Sequence, residues 1–411
     1  MATLPPELWG EIIYFATRLP SWCHPLASVS LTPFLVGPDD NVAAHQATLE
    51  TRARIVLVSR LWNRLGTAFL YEYISLTRSS TFAALSSALE QQRSGVKRGS
   101  FVRAAIISYE PVVHFPHSVI ISQLPNLEVI IHRQWSCPAD YDRTVEFGRR
   151  PPPGTLPKPE LPFLQSTLGN VKRIECHEHV NPRIDIPLDD LRQCLRMSSN
   201  IQCLAVRGYP RYIPLDFPFE SLETLRIDPH PESRRSGLLP WSMPNLRSVV
   251  MHTLTMRSNP LCTQVLRQYG ANLHTVELTI SPDTLPRHDG DELSLIFHHC
   301  PRLQDLSYHV EVCRSPVFTH GPHTSLARLR LYARYADPRA VPEYKMPNTA
   351  SSHFYAYTHR TVPNLKRILC YGHWKWIPRL QRLLETFAFE WDRGASSSDA
   401  SLRPPVVEFV R

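Results

Sequence analysis

Two short clusters carry side chains that can bind metals. His177-Glu178-His179 sets two imidazoles two residues apart, on one face of a strand, and His298-His299-Cys300 puts three ligand-competent side chains in a row. A zinc site needs three or four converging ligands with second-layer support. Neither cluster has a matched partner elsewhere in the chain, so no metal is expected at either. The nine cysteines are scattered, odd in number, and never arranged Cys-x-x-Cys. Neither a disulfide framework nor a zinc ribbon is expected. There is no phosphate-cradling glycine loop, no Gly-x-Ser-x-Gly elbow and no His-Glu-x-x-His. The expectation is a non-enzyme without a cofactor, whose chemistry is recognition.

Charge and composition narrow the partners. Lys and Arg number 45 against 37 Asp and Glu, a net +8 over 411 residues. That is too dilute for the dense basic stripe of a nucleic-acid binder, so no nucleic acid is expected. No apolar run approaches membrane-spanning length and no N-terminal signal pattern is visible, so the expected place is intracellular, cytoplasmic or nuclear, with no membrane partner. Hydrophobic residues make up 43%, enough for a real core. Thirty-eight prolines against 15 glycines predict many short elements rather than a few long helices.

The elements that position any recognition surface are repeated. A Leu-x-x-Leu-x-Leu template, with any apolar residue allowed at the fixed places, occurs nine times, His132 being the one place of the 27 that is not apolar. It reads Leu127/Ile130/His132, Val171/Ile174/Cys176, Ile201/Leu204/Val206, Leu222/Leu225/Ile227, Leu246/Val249/Met251, Leu273/Val276/Leu278, Leu303/Leu306/Tyr308, Leu326/Leu329/Leu331 and Leu365/Ile368/Cys370. Asn stands directly before the first place in six of the nine, which marks a shared turn. Apolar residues two apart share one face of a short strand, and such a unit buries that face only by stacking on its neighbours. Leu188/Leu191/Leu195, Leu261/Val265/Leu266 and Leu293/Ile296/Phe297 have helical spacing and predict helices between strands. Long spacings predict loop insertions near 133–165 and 333–360. Trp374, Trp376, Ile377, Leu380, Leu383 and Leu384 predict a C-terminal helix covering the last repeat, followed by a flexible tail over 391–411.

The first 75 residues differ. Leu8, Ile12, Phe15 and Leu19 form one helical stripe, and Trp9, Ile13 and Ala16 form another. A second helical pattern, Ile55, Val58, Trp62, Leu65 and Phe69, runs from about Leu49 to Tyr71. Together they offer more apolar positions than so small a module can bury, which predicts a partner surface.

The opening Leu4-Pro5-Pro6-Glu7-Leu8, then Ile12, and later Val58-Ser59-Arg60-Leu61-Trp62 resemble the F-box, whose pattern is Leu-Pro-x-Glu-Leu followed by Val-Ser-x-x-Trp. Placed before leucine-rich repeats, over about Phe101 to Cys370, the arrangement is similar to F-box-like proteins of mushroom-forming fungi. The chain departs from a compact F-box in one respect: an insertion of about residues 20–52 separates the two helical patterns. The resemblance implies an α/β protein in which an N-terminal helical F-box-like module (1–75) precedes an irregular leucine-rich-repeat solenoid (76–390), with parallel strands on the concave face and helices and loops outside. It implies docking on a Skp-type adaptor of a cullin–RING ubiquitin ligase through Leu4, Pro5, Leu8, Ile12, Val58 and Trp62, with the repeats holding a protein substrate. The alternative expectation is a non-catalytic interaction scaffold without ligase association.

Stacked strands would align the residues between and beyond the apolar places into ladders. These ladders carry seven Arg, no Lys and four acids among their charged members. Arg forks grip carboxylates and phosphates, so an acidic or phosphorylated partner is expected at Arg328, Arg330 and Arg367, with Tyr332 and Tyr371 supplying contact area.

Overall fold

A computed structural model of the chain describes residues 4–17, 38–76, 82–93, 95–109, 120–134, 168–177, 198–208, 218–229, 241–252, 260–279, 291–310, 313–319, 321–333, 352–372, 374, 380–394 and 404–410. They divide into two compact units, Met1–Leu222 and Glu223–Arg411. The fold is α/β, and every strand of the repeats runs parallel to its neighbours.

The first unit opens with three helices, α1 (Pro6–Ala16), α2 (Pro38–Val58) and α3 (Arg60–Tyr71), leading into strand β1 (Tyr73–Leu76). Pro6 starts α1 where a missing N–H costs least. The pattern read as one helix over 49–71 is broken at Ser59. Its backbone is extended there, and its side chain accepts a hydrogen bond from the Trp62 N–H at 3.1 Å, capping α3. Asn63 then turns back and donates to the Val56 carbonyl at 2.8 Å, satisfying the end of α2. Gly66 lets α3 approach α2: a Cβ there would sit 3.1 Å from a Val56 methyl. The insertion expected over about 20–52 is therefore helical from Pro38 onward.

After α4 (Phe82–Glu90) comes a small hairpin, β2 (Gln92–Arg93) with β3 (Val96–Lys97). The array then continues with β4 (Ala104–Tyr109), β5 (Val129–Gln134), β6 (Arg173–His177) and β7 (Cys203–Gly208). β1 and β4 to β7 pair in sequence order, all parallel. The second unit holds β8 (Thr224–Pro229), β9 (Ser248–His252), β10 (Thr275–Thr279), β11 (Asp305–His309), β12 (Arg328–Ala333), β13 (Arg367–Gly372) and β14 (Val406–Val410), again parallel and in order. Helices α5 (Pro260–Tyr269), α6 (Glu292–His299) and α7 (Leu380–Gly394) belong to it.

Within each unit the template copies lie on strands in a shared register: the pairing sets Ile130 beside Ile174 in the first, and Leu306 beside Leu329, and Leu329 beside Ile368, in the second. Every template side chain that the structure describes is buried, the most exposed being Val206 at 7%. In seven of the nine copies, among the described residues, the residue after the first anchor has a carbonyl that receives two N–H groups from the next repeat. Glu128 takes those of Lys172 and Arg173, and His274 takes those of Gln304 and Asp305. The recurrent asparagines explain themselves here. Asn126, Asn170, Asn200 and Asn364 each donate to a backbone carbonyl of the preceding turn, those of Ser100, Pro125, Gly169 and Thr324. Ser325, at the same place in its repeat, does likewise to Pro301.

β1 falls within 71–76, a stretch whose sequence reads as a strand after the helices. Two strands of the array, β4 and β14, were not foreseen. β4 belongs to a degenerate copy, Val102/Ala105/Ile107, whose small middle member hides the pattern. β14 lies inside 391–411, the stretch expected to be a flexible tail, and pairs along β13 from Arg367–Val406 to Tyr371–Val410. Helices α5 and α6 occupy the stretches predicted from Leu261 and Leu293. The helical pattern at 188–195 and most of the 133–165 and 333–360 insertions lie outside the described residues. α7 buries Leu383, Phe387 and Trp391, one stripe at four-residue steps, with Phe387 edge-on to Phe354 at 5.4 Å. Trp374, predicted for that helix, is buried beside Phe354 but precedes it in the chain.

Candidate protein-docking surfaces

In the first unit the two stripes of α1 part company. Ile13 is 1% exposed and Trp9 half-buried, its ring 4.9 Å from that of Trp62. The other stripe faces solvent: Leu8 is 43%, Ile12 45% and Phe15 68% exposed, and Leu4 and Pro5 just before the helix are exposed too. Leu57 and Val58, in the last turn of α2, are likewise open. Of the residues expected to dock an adaptor, Leu4, Pro5, Leu8, Ile12 and Val58 are thus all accessible, and Trp62 packs against Trp9 of α1.

A buried arginine holds these helices in place. Arg52, on α2, has a fully buried side chain. Its guanidinium donates to the Thr17 carbonyl at the end of α1 (3.0 Å from Nε) and to the Phe69 carbonyl near the end of α3 (2.7 Å from Nη1). Nη2 lies 3.3 Å from the Glu72 carboxylate. Two helix C-termini carry partial negative charge, so one cation between them satisfies orphan carbonyls and both dipoles. Sequence reading assigned this residue to an insertion, and nothing in the local pattern sets it apart from its charged neighbours Glu50 and Arg54. α3 also meets the first repeats: Arg98 donates to the Tyr71 hydroxyl at 3.1 Å and lies over that ring.

A polar notch of about 210 Å³ in the same unit is lined by Arg103, Asn126, Glu128, Gly169, Asn170, Lys172 and Asn200. Its asparagine amides serve the backbone, and Arg103 is held by Glu128 at 2.9 Å.

In the second unit the register assembles the ladders as expected, but only part of that face is accessible. Across β9 to β12, Val250, Glu277, Ser307 and Arg330 lie side by side and are all buried. The row toward the strand ends is closed as well: Thr279, His309 and Tyr332 are each 5–6% exposed. His309 and Tyr332 rings sit 5.3 Å apart, and Tyr332 stacks on Tyr371 at 4.7 Å and 10°. Burial raises the Tyr332 hydroxyl's pKa, with the nearby Glu277 and Tyr371 adding and Arg330 opposing. Two of the five residues expected to grip a substrate, Arg330 and Tyr332, therefore belong to a closed layer. Arg328 and Arg367 are open, and Tyr371 is half-open.

Of the first histidine cluster, Glu178 and His179 lie outside the described residues. His177 is described only by its backbone. Burial pushes the Cys300 thiol up to about 12, far from the thiolate a metal needs. His323 instead donates from Nε2 to the Cys300 carbonyl at 2.9 Å, and burial lowers its pKa. A second histidine closes a polar chain: His353 Nε2 faces the Cys313 carbonyl at 3.0 Å, which can only accept, so Nδ1 accepts from Tyr308 Oη. Tyr357 completes the chain at 3.0 Å. Such buried groups specify a packed core rather than a reactive centre.

Among the described residues no group of His, Cys, Asp and Glu is placed to hold a metal, and no helix is long and apolar enough to cross a membrane. No protein-family model matches the chain, and no curated protein matches it.

Proposed function

We propose that this protein is a substrate-recognition adaptor of a cullin–RING ubiquitin ligase. Its N-terminal helices dock a Skp-type adaptor through Leu4, Pro5, Leu8, Ile12 and Val58, with Trp62 bracing the surface. Its leucine-rich-repeat-like strands hold a protein substrate. The protein catalyses nothing itself; it raises the concentration of substrate lysines near a loaded ubiquitin-conjugating enzyme.

The observation that carries this reading is the turned-out stripe of α1. A helix whose only need was to cover the array would bury its widest apolar face, whereas Leu8, Ile12 and Phe15 stand open while Ile13 alone is buried. Covering those three contributes on the order of 1 kcal/mol each by burial. A second reading, a scaffold whose helical module only caps the repeats, is favoured by the contact between Arg98 and Tyr71.

Purified full-length protein and a Skp-type adaptor separate the two readings by calorimetry. Micromolar binding is expected, weakened roughly tenfold or more in Leu8→Ala/Ile12→Ala, with thermal unfolding nearly unchanged. Wild-type protein that shows no binding at micromolar concentration leaves the scaffold reading.

A further inference from the structure

We infer that the accessible part of the repeat face in the second unit is a seat for an acidic polypeptide segment that also carries an apolar side chain, centred on Arg328, Arg367 and Leu369. The inference rests on the reading of the repeats as the partner-binding part of the chain.

Three observations build the seat. The first is closure. Arg330 and Tyr332 are buried, so the middle of the face offers no arginine to a partner, and what recognition the face performs falls to β12, β13 and β14. The second is register. Arg328 lies directly beside Arg367, and Arg367 beside Val406, at the start of three neighbouring strands. Two residues along, Leu369 lies beside Glu408, and two residues further Tyr371 is braced by its stack on Tyr332. The third is orientation. Arg328 meets Asp305 through Nε at 2.9 Å, and the group of Arg367 nearest Glu408 is also Nε, at 4.0 Å. These side chains are 45% and 63% exposed. In each pair the group nearest the acid is Nε rather than a terminal nitrogen, so the planar fork of an exposed guanidinium keeps terminal donors for a partner's carboxylate.

Charge favours an acidic occupant. Around the starts of β11 to β14 the exposed cations are Arg302, Arg328, Arg360, Lys366 and Arg367, against the acids Asp305 and Glu408. The apolar half is set by the half-open Leu369 and by Val406, 56% exposed. A segment that suits both places its carboxylates over Arg328 and Arg367 and lays an apolar side chain along Leu369, Val406 and the Tyr371 ring. Side chains alternate along these strands, so Arg367, Leu369 and Tyr371 share one face and give a gradient from cation to aliphatic to aromatic.

Selection from a displayed library of random twelve-residue peptides on the immobilised full chain tests this without any adaptor present. Failure here is thus separate from failure of adaptor docking. The expected result is enrichment of peptides with Asp or Glu near an aliphatic or aromatic residue. The best of these, as a synthetic peptide, binds roughly tenfold or more weakly to R328E/R367E and also weakens on raising salt. The variant's melting curve, matching wild type, excludes unfolding as the cause. A second variant, L369S, leaves the salt dependence intact while weakening binding. The inference is overturned if nothing is enriched, if the enriched peptides are basic or uncharged, or if R328E/R367E binds them as wild type does.

Discussion

Leu8 and Ile12 in α1 and Leu225 and Leu306 in the repeats are chemically alike and end in opposite surroundings. The first two are 43% and 45% exposed; the second two are 0%. In the repeats each apolar side chain finds its counterpart one repeat away, because the register is shared: Leu306 has Val276 on one side and Leu329 on the other. In α1 a single stripe is covered, and the other stays 43% to 68% exposed. The difference teaches that a hydrophobic stripe is read correctly as a core only where repetition guarantees it a neighbour.

The sharpest way to break the comparison is to truncate both classes. Leu306→Ala is expected to cost about 2–5 kcal/mol in denaturant unfolding, because its neighbours are fixed by the sheet and cannot collapse into the space. Ile12→Ala should stay within about 0.5 kcal/mol. Equal losses at the two sites would mean that the stripe of α1 is already covered.

Arg52→Met is the next largest. It removes a buried cation and strands the Thr17 and Phe69 carbonyls, at an expected cost of about 1–3 kcal/mol. The loss should be confined to the helical module: hydrogen exchange would quicken in α1 to α3 and stay unchanged in β10 to β13. Uniform acceleration would show that the module and repeats unfold as one.

The smallest effect separates pH from packing. Burial holds His323 below its ordinary value, so the folded protein keeps it neutral. The unfolded chain takes up its proton as pH falls through about 6.5, so stability present above that pH is lost on acidification below it. Comparing unfolding midpoints at about pH 7.5 and about 5.5, wild type should lose more than His323→Gln. An equal loss would move the acid sensitivity elsewhere.

The repeats were legible because their signal is redundant. The strand positions of β5 to β13 all follow from one three-place pattern, and the asparagine before the anchor proved to be a backbone clamp. β4 escaped because Ala105 fills a leucine's place, and β14 because its Val-Val-Glu-Phe-Val run follows a serine-rich stretch that reads as tail. The proposed recognition surface was only half legible. Spacing placed Arg328, Arg330 and Arg367 on one face, but spacing cannot say which part of a face is covered. Burial of Arg330 is a three-dimensional fact. The break at Ser59 was available in principle, since a serine followed three residues later by Trp62 offers a cap, but the unbroken apolar periodicity on either side concealed it.

The doubly bonded carbonyls at the start of seven repeats have an evolutionary consequence. Each one restarts the strand from a fixed point, so an error in the preceding loop is not passed on to the next strand. Lengthening a linker then changes only the closure cost of that one loop, about 0.6 kcal/mol for each doubling. Between-anchor distances in this chain range from 21 residues, Ile201 to Leu222, to 44, Leu127 to Val171. Lineages carrying such an array can gain and lose whole segments at the linkers while the strand ladder keeps its phase. New partner specificities can therefore be tried by insertion, without first rebuilding the core.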